Sequence, residues 1–246
     1  MRIHFHGDLP TLLPRQLRGQ GQIEARLGRR TSIKDLIESY DVPHTEVGRL
    51  TAAGLEVDFS HLVDEEESIE VYPLTAPVDL LRPTLLRPRP LTRIAFSIDQ
   101  NVGKLAPLLR LLGFDALYHH GISDPHLAAL TLETRRVLLT KDKDLLKRKT
   151  IEFGRLVRAI MPERQLAEVV TLFGLLGEAR PFSRCLRCND GVLEPVAKEL
   201  ILDRLEPLTV KYYDRFCTCN RCGRIFWEGT HREKMEQMLV RLGLSA

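Results

Sequence analysis

The sequence predicts an α/β protein built around a parallel sheet with helices on both faces. Three observations predict it. Short apolar runs at Arg93–Asp99, Phe114–His119, Val137–Thr140 and Arg155–Ile160 alternate with segments of helical spacing, the pattern of strands joined by crossover helices. Two of these runs lead directly to carboxylates, Asp99 and Asp142, and functional groups of parallel sheets gather where strands end. All five cysteines lie between Cys185 and Cys222, mostly in Cys-x-x-Cys pairs, so a compact metal module is expected to follow the sheet.

The composition is that of an ordinary globular chain, with 43% hydrophobic and 28% charged residues. Its 246 residues allow one large domain or two to three small ones. No apolar run reaches the length of a transmembrane helix, and MRIHFHGDLP lacks the apolar core of a signal peptide, so a cytoplasmic protein is expected. A net charge of +3 says little about partners by itself; local clustering says more.

Residues 1–78 form the first expected unit. Arg2–His6 alternates like a strand, and Gln22–Leu27 offers a second. Thr31 or Ser32 caps a helix carrying Ile33, Leu36 and Ile37, which ends near Asp41–Pro43. Val47–Thr51, Leu55–Phe59 and Ile69–Tyr72 read as three further strands, with Ala52-Ala53-Gly54 as a turn. This β-β-α-β-β-β order resembles a ubiquitin-like β-grasp domain of the sulfur-carrier type. The unit ends Tyr72-Pro73-Leu74-Thr75-Ala76-Pro77 without Gly-Gly, which argues for a binding or packing module and against a thiocarboxylate carrier. Residues 79–92 follow as a linker stiffened by Pro83, Pro88 and Pro90, whose Arg82, Arg87 and Arg89 are either solvated or available to phosphates.

Residues 93–180 carry the parallel sheet. Helices are expected at Val102–Leu112, Pro125–Thr134, from Lys143, and at Pro162–Leu175, with Gly113 ending the first and Asp124 capping the second. Asp99, Asp124, Asp142 and Asp144 can meet at one sheet edge. Such a cluster favours Mg²⁺ or Mn²⁺, ions suited to phosphodiester hydrolysis through activated water. Asp124 also reads as a plain helix cap and Asp144 as first-turn decoration, whereas Asp115 reads as structural. Lys141, Lys143, Lys147, Arg148 and Lys149 form either a solvated face or a phosphate track; His126 is a weaker substrate contact.

Residues 181–246 form the last unit. Cys185-Leu-Arg-Cys188 and Cys219-Asn-Arg-Cys222 have the spacing of a tetrahedral Cys₄ zinc site, with Cys217 left out. Four thiolates leave no open coordination position, so the zinc is structural. Leu200–Leu205 and Val210–Tyr213 are expected to form a hairpin-like excursion between the pairs. Arg187 and Arg221, beside the cysteines, can grip RNA. A final helix is expected over Arg232–Leu242, with His231 as a cap or a substrate contact.

Asp99, the Leu-Arg-Leu-Leu-Gly-Phe-Asp run at 109–115, Asp124 and Leu139-Thr140-Lys141-Asp142 follow the motif order of the PIN-like Mut-seven C-terminal RNases. Arg-Cys-x-x-Cys-Asn, Cys-x-x-Cys-Gly and the following Phe226–His231 extend the similarity over residues 93 to 232. The resemblance implies a PIN-like three-layer domain with a zinc ribbon, preceded by a ubiquitin-like domain. It also implies RNA cleavage at metal-holding aspartates. Two departures stand out: Pro107 inside the first helix, expected to kink it, and Lys141 in place of arginine, which loses bidentate geometry. The function expected is therefore a metal-dependent ribonuclease. The alternative is an inactive RNA- or ribosome-binding adaptor that docks a protein partner through its N-terminal domain.

Overall fold

A computed structural model describes residues 1–28 and 30–244, with His231 placed only along the chain; the roles expected of its side chain lie outside what is described. The N-terminal sheet has the order β2-β1-β5-β3-β4, built from β1 Arg2–Phe5, β2 Gln22–Glu24, β3 Val47–Ala52, β4 Leu55–Glu56 and β5 Ser68–Pro73. β1 and β5 run parallel, and α1 Ile33–Ser39 crosses between the hairpins. Ser32 caps α1 by accepting the Asp35 N–H, leaving Ile33, Leu36 and Ile37 on the buried stripe. β2 and β4 are shorter than their apolar runs: among Gln22–Leu27 and Leu55–Phe59 only the first few residues find a ladder partner.

The second sheet is fully parallel, in the order β7-β6-β8-β9: β6 Ala95–Ile98, β7 Asp115–Tyr118, β8 Val137–Thr140 and β9 Gly154–Leu156. α2 Leu105–Leu111 and α5 Pro162–Phe173 cover one face, where Phe96, Ile98, Val137 and Leu139 are buried among them. α3 Asp124–Glu133 and α4 Lys143–Leu146 cover the other, so the two central strands, β6 and β8, are buried on both sides. This is the three-layer α/β arrangement expected.

Local differences have simple causes. After β6 the chain first makes a 3₁₀ turn over Gln100–Val102, so α2 starts only at Leu105. Pro107 then falls in the first helical turn, where its missing N–H would have no intrahelical partner, and the expected kink does not arise. Ser123, rather than Asp124, occupies the N-cap of α3, and Asp124 is the first helical residue.

The third unit is a three-stranded antiparallel sheet, β10 Leu193–Val196, β11 Phe216–Cys219 and β12 Ile225–Trp227, closed by α7 Thr230–Arg241. The spacer between the cysteine pairs is helical and not a hairpin. Pairing is made by β10 and β11 at its two ends, and Pro207 opens a short helix, α6 Pro207–Tyr212, between them.

The N-terminal unit packs onto the parallel sheet. One continuous core holds Ile33, Ile37 and Val47 together with Leu127, Leu138, Leu145, Leu146 and Leu156. The Pro/Arg-rich segment belongs to this packing. Arg87 is neither solvated nor free for phosphate: it is buried and donates to the carbonyls of Val47, Thr45 and His44. Burial lowers its guanidinium to about 10, still charged at neutral pH.

Candidate active edge and cysteine centre

The order β7-β6-β8-β9 places a topological switch point between β6 and β8. The connection leaving β6 runs to one side of the sheet, and the strand that returns on the other side of β6 is β8. Ligands of open parallel sheets bind in the crevice this creates at the strands' carboxyl ends. Asp99 follows β6 and Asp142 follows β8, so the fold sets both at this crevice, with Asp124 on the connection leaving β7.

Thr140 joins the two aspartates. Its hydroxyl donates to Asp99 Oδ2 at 2.5 Å and accepts the Asp142 N–H at 2.9 Å. Asn101 completes the network: Nδ2 donates to Asp99 Oδ2 at 2.6 Å, and Oδ1 accepts the Lys141 N–H at 3.0 Å. The sequence assigns no role to Asn101, and to Thr140 only a place in the 139–142 motif. Their signal was only their position, immediately beside the two strand-end carboxylates.

Both aspartates also terminate helices. Asp99 Oδ1 accepts the Gln100 N–H at 2.6 Å. Asp142 Oδ1 accepts the N–H groups of Asp144 and Leu145 at 2.7 and 3.2 Å. These caps account for part of what the aspartates do. Asp99 is only 4% exposed. The acidic groups do not collapse onto a point: among the described residues, no three carboxylates lie within 4.8 Å of one another at this edge. The donor set nonetheless fits a hard divalent ion. Mg²⁺ takes only one or two protein carboxylates and fills its remaining positions with water and substrate phosphate. Asp142 uses Oδ1 for both cap bonds, which leaves Oδ2 for an ion.

The other expected contacts divide. Asp144 is 87% exposed and salt-bridged to Lys147 at 3.1 Å, turned to solvent rather than to the edge. Lys143 and Lys147 do not form an open phosphate track, because the N-terminal unit occupies them. Both bind Asp41, at 3.2 and 2.6 Å, and Lys143 also donates to the Leu12 carbonyl. These lysines hold the Asp41 carboxyl below its usual range. Lys141 and Arg148 remain exposed, Arg221 pairs with Asp190, and His126 meets Ser123 at 3.1 Å. An open groove of about 1090 Å³ runs from Asn101 past Lys104 and Tyr118 to Arg187 and the start of α5. Arg187 is thus placed beside the edge, while Lys104 and Tyr118 were not singled out by the sequence.

Asp115 is structural, as the sequence suggested. Arg136 grips it through two bonds at 2.6 and 2.9 Å, Arg93 at 3.0 Å and Asn189 at 2.7 Å. Burial opposes its ionisation, but Arg136 and Asn189 outweigh it and hold the carboxyl at about 2, against a usual 3.8. A lowered pKa contributes stability above the unfolded value and loses it as pH falls through the folded one. Asp115→Asn should therefore cost about 2 kcal/mol near neutrality. The gap between variant and parent should close in acid between pH 4 and 2, as measured by denaturant melts across that range. A gap that persists at pH 2 would contradict the ion-pair account.

The four cysteines converge. Sγ–Sγ distances are 3.7 Å for Cys185–Cys222 and 3.6 Å for Cys188–Cys219. A ZnS₄ tetrahedron with bonds near 2.3 Å has edges of about 3.8 Å. Cys217 sits mid-strand in β11, paired across to Pro195 and Phe226, outside the cluster. Without a cation, burial pushes the Cys185 thiol up to about 12. At Cys219 burial is outweighed by the amide N–H groups of Cys222 and Arg221, and the thiol stands at about 7. The first pair is anchored to the parallel sheet. Arg110 donates to the carbonyls of Leu186 and Arg187, and Asn189 Oδ1 accepts the Ala116 N–H.

Comparison with protein-family models matches residues 94–239 to the Mut7-C RNAse domain and residues 1–79 to the Mut7-C ubiquitin. No curated protein and no solved structure matches the chain.

Proposed function

The chain belongs to the Mut7-C RNAse domain family, and from that membership we propose that it hydrolyses RNA phosphodiester bonds with a divalent cation held at Asp99 and Asp142. The observation that carries this reading is the Thr140 hydroxyl, which binds the Asp99 carboxylate and the Asp142 backbone N–H and so ties the two strand ends together across the switch point. Bound Mg²⁺ or Mn²⁺ supplies neutralisation of the phosphate and a water acidic enough to attack phosphorus. Thr140 and Asn101 hold the Asp99 carboxylate in its orientation. Asp124, on the next connection, stands ready as a further carboxylate when phosphate and ion are bound. Lys104 and Arg187 bind the strand along the groove, with Lys141 beside Asn101 at its end, which makes association salt-sensitive.

Incubation of the full chain with single-stranded and structured RNA in Mn²⁺ tests the proposal. Asp99→Asn and Asp142→Asn should each slow cleavage by roughly 100-fold or more, the scale of losing charge stabilisation by the ion. Undiminished cleavage in both variants would overturn the assignment. A second reading, an RNA-binding adaptor without turnover, is favoured by the capping bonds that both aspartates already make. It predicts salt-dependent RNA binding that leaves no products, and binding unaffected by either substitution.

A further inference from the structure

A second cluster of potential metal ligands lies on the outer face of the N-terminal sheet. His4 on β1 and His6, one residue beyond its end, keep the strand's alternation, so both rings project from the same side, while Ile3 and Phe5 point into the core. Parallel pairing puts Glu70 of β5 directly beside His4. Glu70 is likewise flanked by two core residues, Ile69 and Val71, and shares the histidines' outer face. One carboxylate oxygen, Glu70 Oε2, lies 2.5 Å from His6 Nε2 and 3.3 Å from His4 Nδ1. The ring centroids are 4.3 Å apart. A donor atom from each of the three side chains falls within a sphere that an ion can fill.

We propose that His4, His6 and Glu70 bind a zinc ion at a site separate from both the cysteine cluster and the aspartate edge. The donor chemistry selects the metal class. Two imidazoles and one carboxylate suit Zn²⁺ and its late first-row neighbours, whereas Mg²⁺ and Ca²⁺ prefer all-oxygen sites. Tetrahedral zinc with bonds of about 2.0–2.1 Å separates its N and O donors by roughly 3.4 Å. The His4–Glu70 distance already matches. The His6–Glu70 contact has to open by roughly 0.9 Å, a side-chain rotation that the strands need not follow.

The surroundings hold the donors in place. Tyr72, two residues along β5, stacks on His6 at 4.2 Å with the planes 3° apart, and Arg49 lies over the Tyr72 ring at 4.0 Å. This stack fixes the orientation of the His6 ring, the role that outer-shell partners play at metal sites. The side chains of His4, His6 and Glu70 are 43%, 30% and 28% exposed, so an ion can enter from solvent, and water completes its coordination. Bound there, the ion joins β1 to β5 across the one parallel pairing of this sheet among the described residues.

The test uses the full chain carrying one equivalent of zinc at its cysteines, titrated with Zn²⁺ alone by calorimetry. The parent should take up a second equivalent, which His6→Gln and Glu70→Gln should each weaken by at least about tenfold. Tyr72→Leu, which leaves every ligand intact, should weaken it less. Co²⁺ in the second position should show visible d–d bands without the thiolate charge-transfer absorption that marks the cysteine site. Circular dichroism checks that the variants fold, and His4→Asn replaces any that does not. No second equivalent in the parent, or an equivalent untouched by loss of either ligand, would overturn the proposal.

Discussion

Stripping the cysteine-bound metal, by chelation or by Cys185→Ser, is expected to unfold the segment from Arg184 to Leu244 while the parallel sheet survives. Little else holds that segment. Its buried side chains are few: Cys185, Asn189, Ile201, Phe216 and Cys219 around the small sheet, with Met238, Leu239 and Leu244 returning to the main core. Structural zinc contributes on the order of 10 kcal/mol in isolated zinc peptides, more than such a core provides. The loss should spread in a defined direction. Arg110 loses its acceptors on Leu186 and Arg187, and Ala116 loses the Asn189 bond, so β7 and the groove beside it loosen first. Trp227, the chain's single tryptophan, lies on β12 and reports the event by fluorescence. Gly191→Ala offers an independent route to the same state: a Cβ at Gly191 would fall 2.0 Å from Cys219 Sγ, inside the space the sulfur occupies. Unchanged Trp227 emission and melting after metal removal would show that the segment folds without its ion. Cleavage of RNA should fall as well, through displacement of Arg187 and not through any direct part for this metal in the reaction.

What the sequence made legible, and what it hid, follows from the range of the interactions concerned. β8 was readable to the residue, because an apolar run buried on both faces is a local signal. The cysteine cluster was readable because Cys-x-x-Cys is a local geometry, and the two pairs then have only each other to complete a tetrahedron. Strand order is less local, yet alternating strands and helices leave few topologies, and the parallel sheet was anticipated. The caps on Asp99 and Asp142 were knowable too, since an aspartate before a short helix is an N-cap pattern, but the pull of strand-end carboxylates toward metal chemistry hid it. Long-range burial was not legible. Arg87 in a proline-rich stretch reads as solvated, and only the facing carbonyls of His44, Thr45 and Val47 make it a buried anchor. Lys143 and Lys147 read as a solvated face or a phosphate track because Asp41, a hundred residues earlier in the chain, carries no mark of its destination. For the same reason the N-terminal unit looked free to dock elsewhere, whereas one of its faces is spent on the parallel sheet. The opposite face, bearing His4, His6, Arg49 and Tyr72, is left partly exposed by this packing.

Glu46→Ala is expected to cost about 3–5 kcal/mol, the scale of breaking a buried ion pair by removing one partner. Glu46 belongs to the N-terminal unit but is wholly buried against β9, in a setting where desolvation pushes its carboxyl up and cations answer it. Arg155 binds Oε2 at 2.6 Å, Arg158 reaches it at 3.4 Å, and the Leu156 N–H donates to Oε1 at 2.8 Å. Removing the carboxylate leaves the largely covered Arg155 guanidinium with Glu168 alone as its anion among the described residues, and the Leu156 amide without its acceptor. The adjoining contacts resist the separation: His44 Nε2–H donates to the Ile151 carbonyl at 2.7 Å, and Arg158 pairs with Asp8 at 2.7 Å. A drop of roughly 10 °C in the melting temperature is the corresponding shift for a chain of this size. Local readouts distinguish this cause from general damage. Hydrogen exchange should quicken first at Leu156 and its β8 partners, and limited proteolysis should begin within residues 79–92 once Arg87 loses its seat. Replacing Arg155 as well should recover part of the loss, because the double variant no longer strands a buried charge. An unchanged melting point in Glu46→Ala, or losses in the two single variants that simply add, would mean that apolar burial alone joins the ubiquitin-like unit to the nuclease sheet.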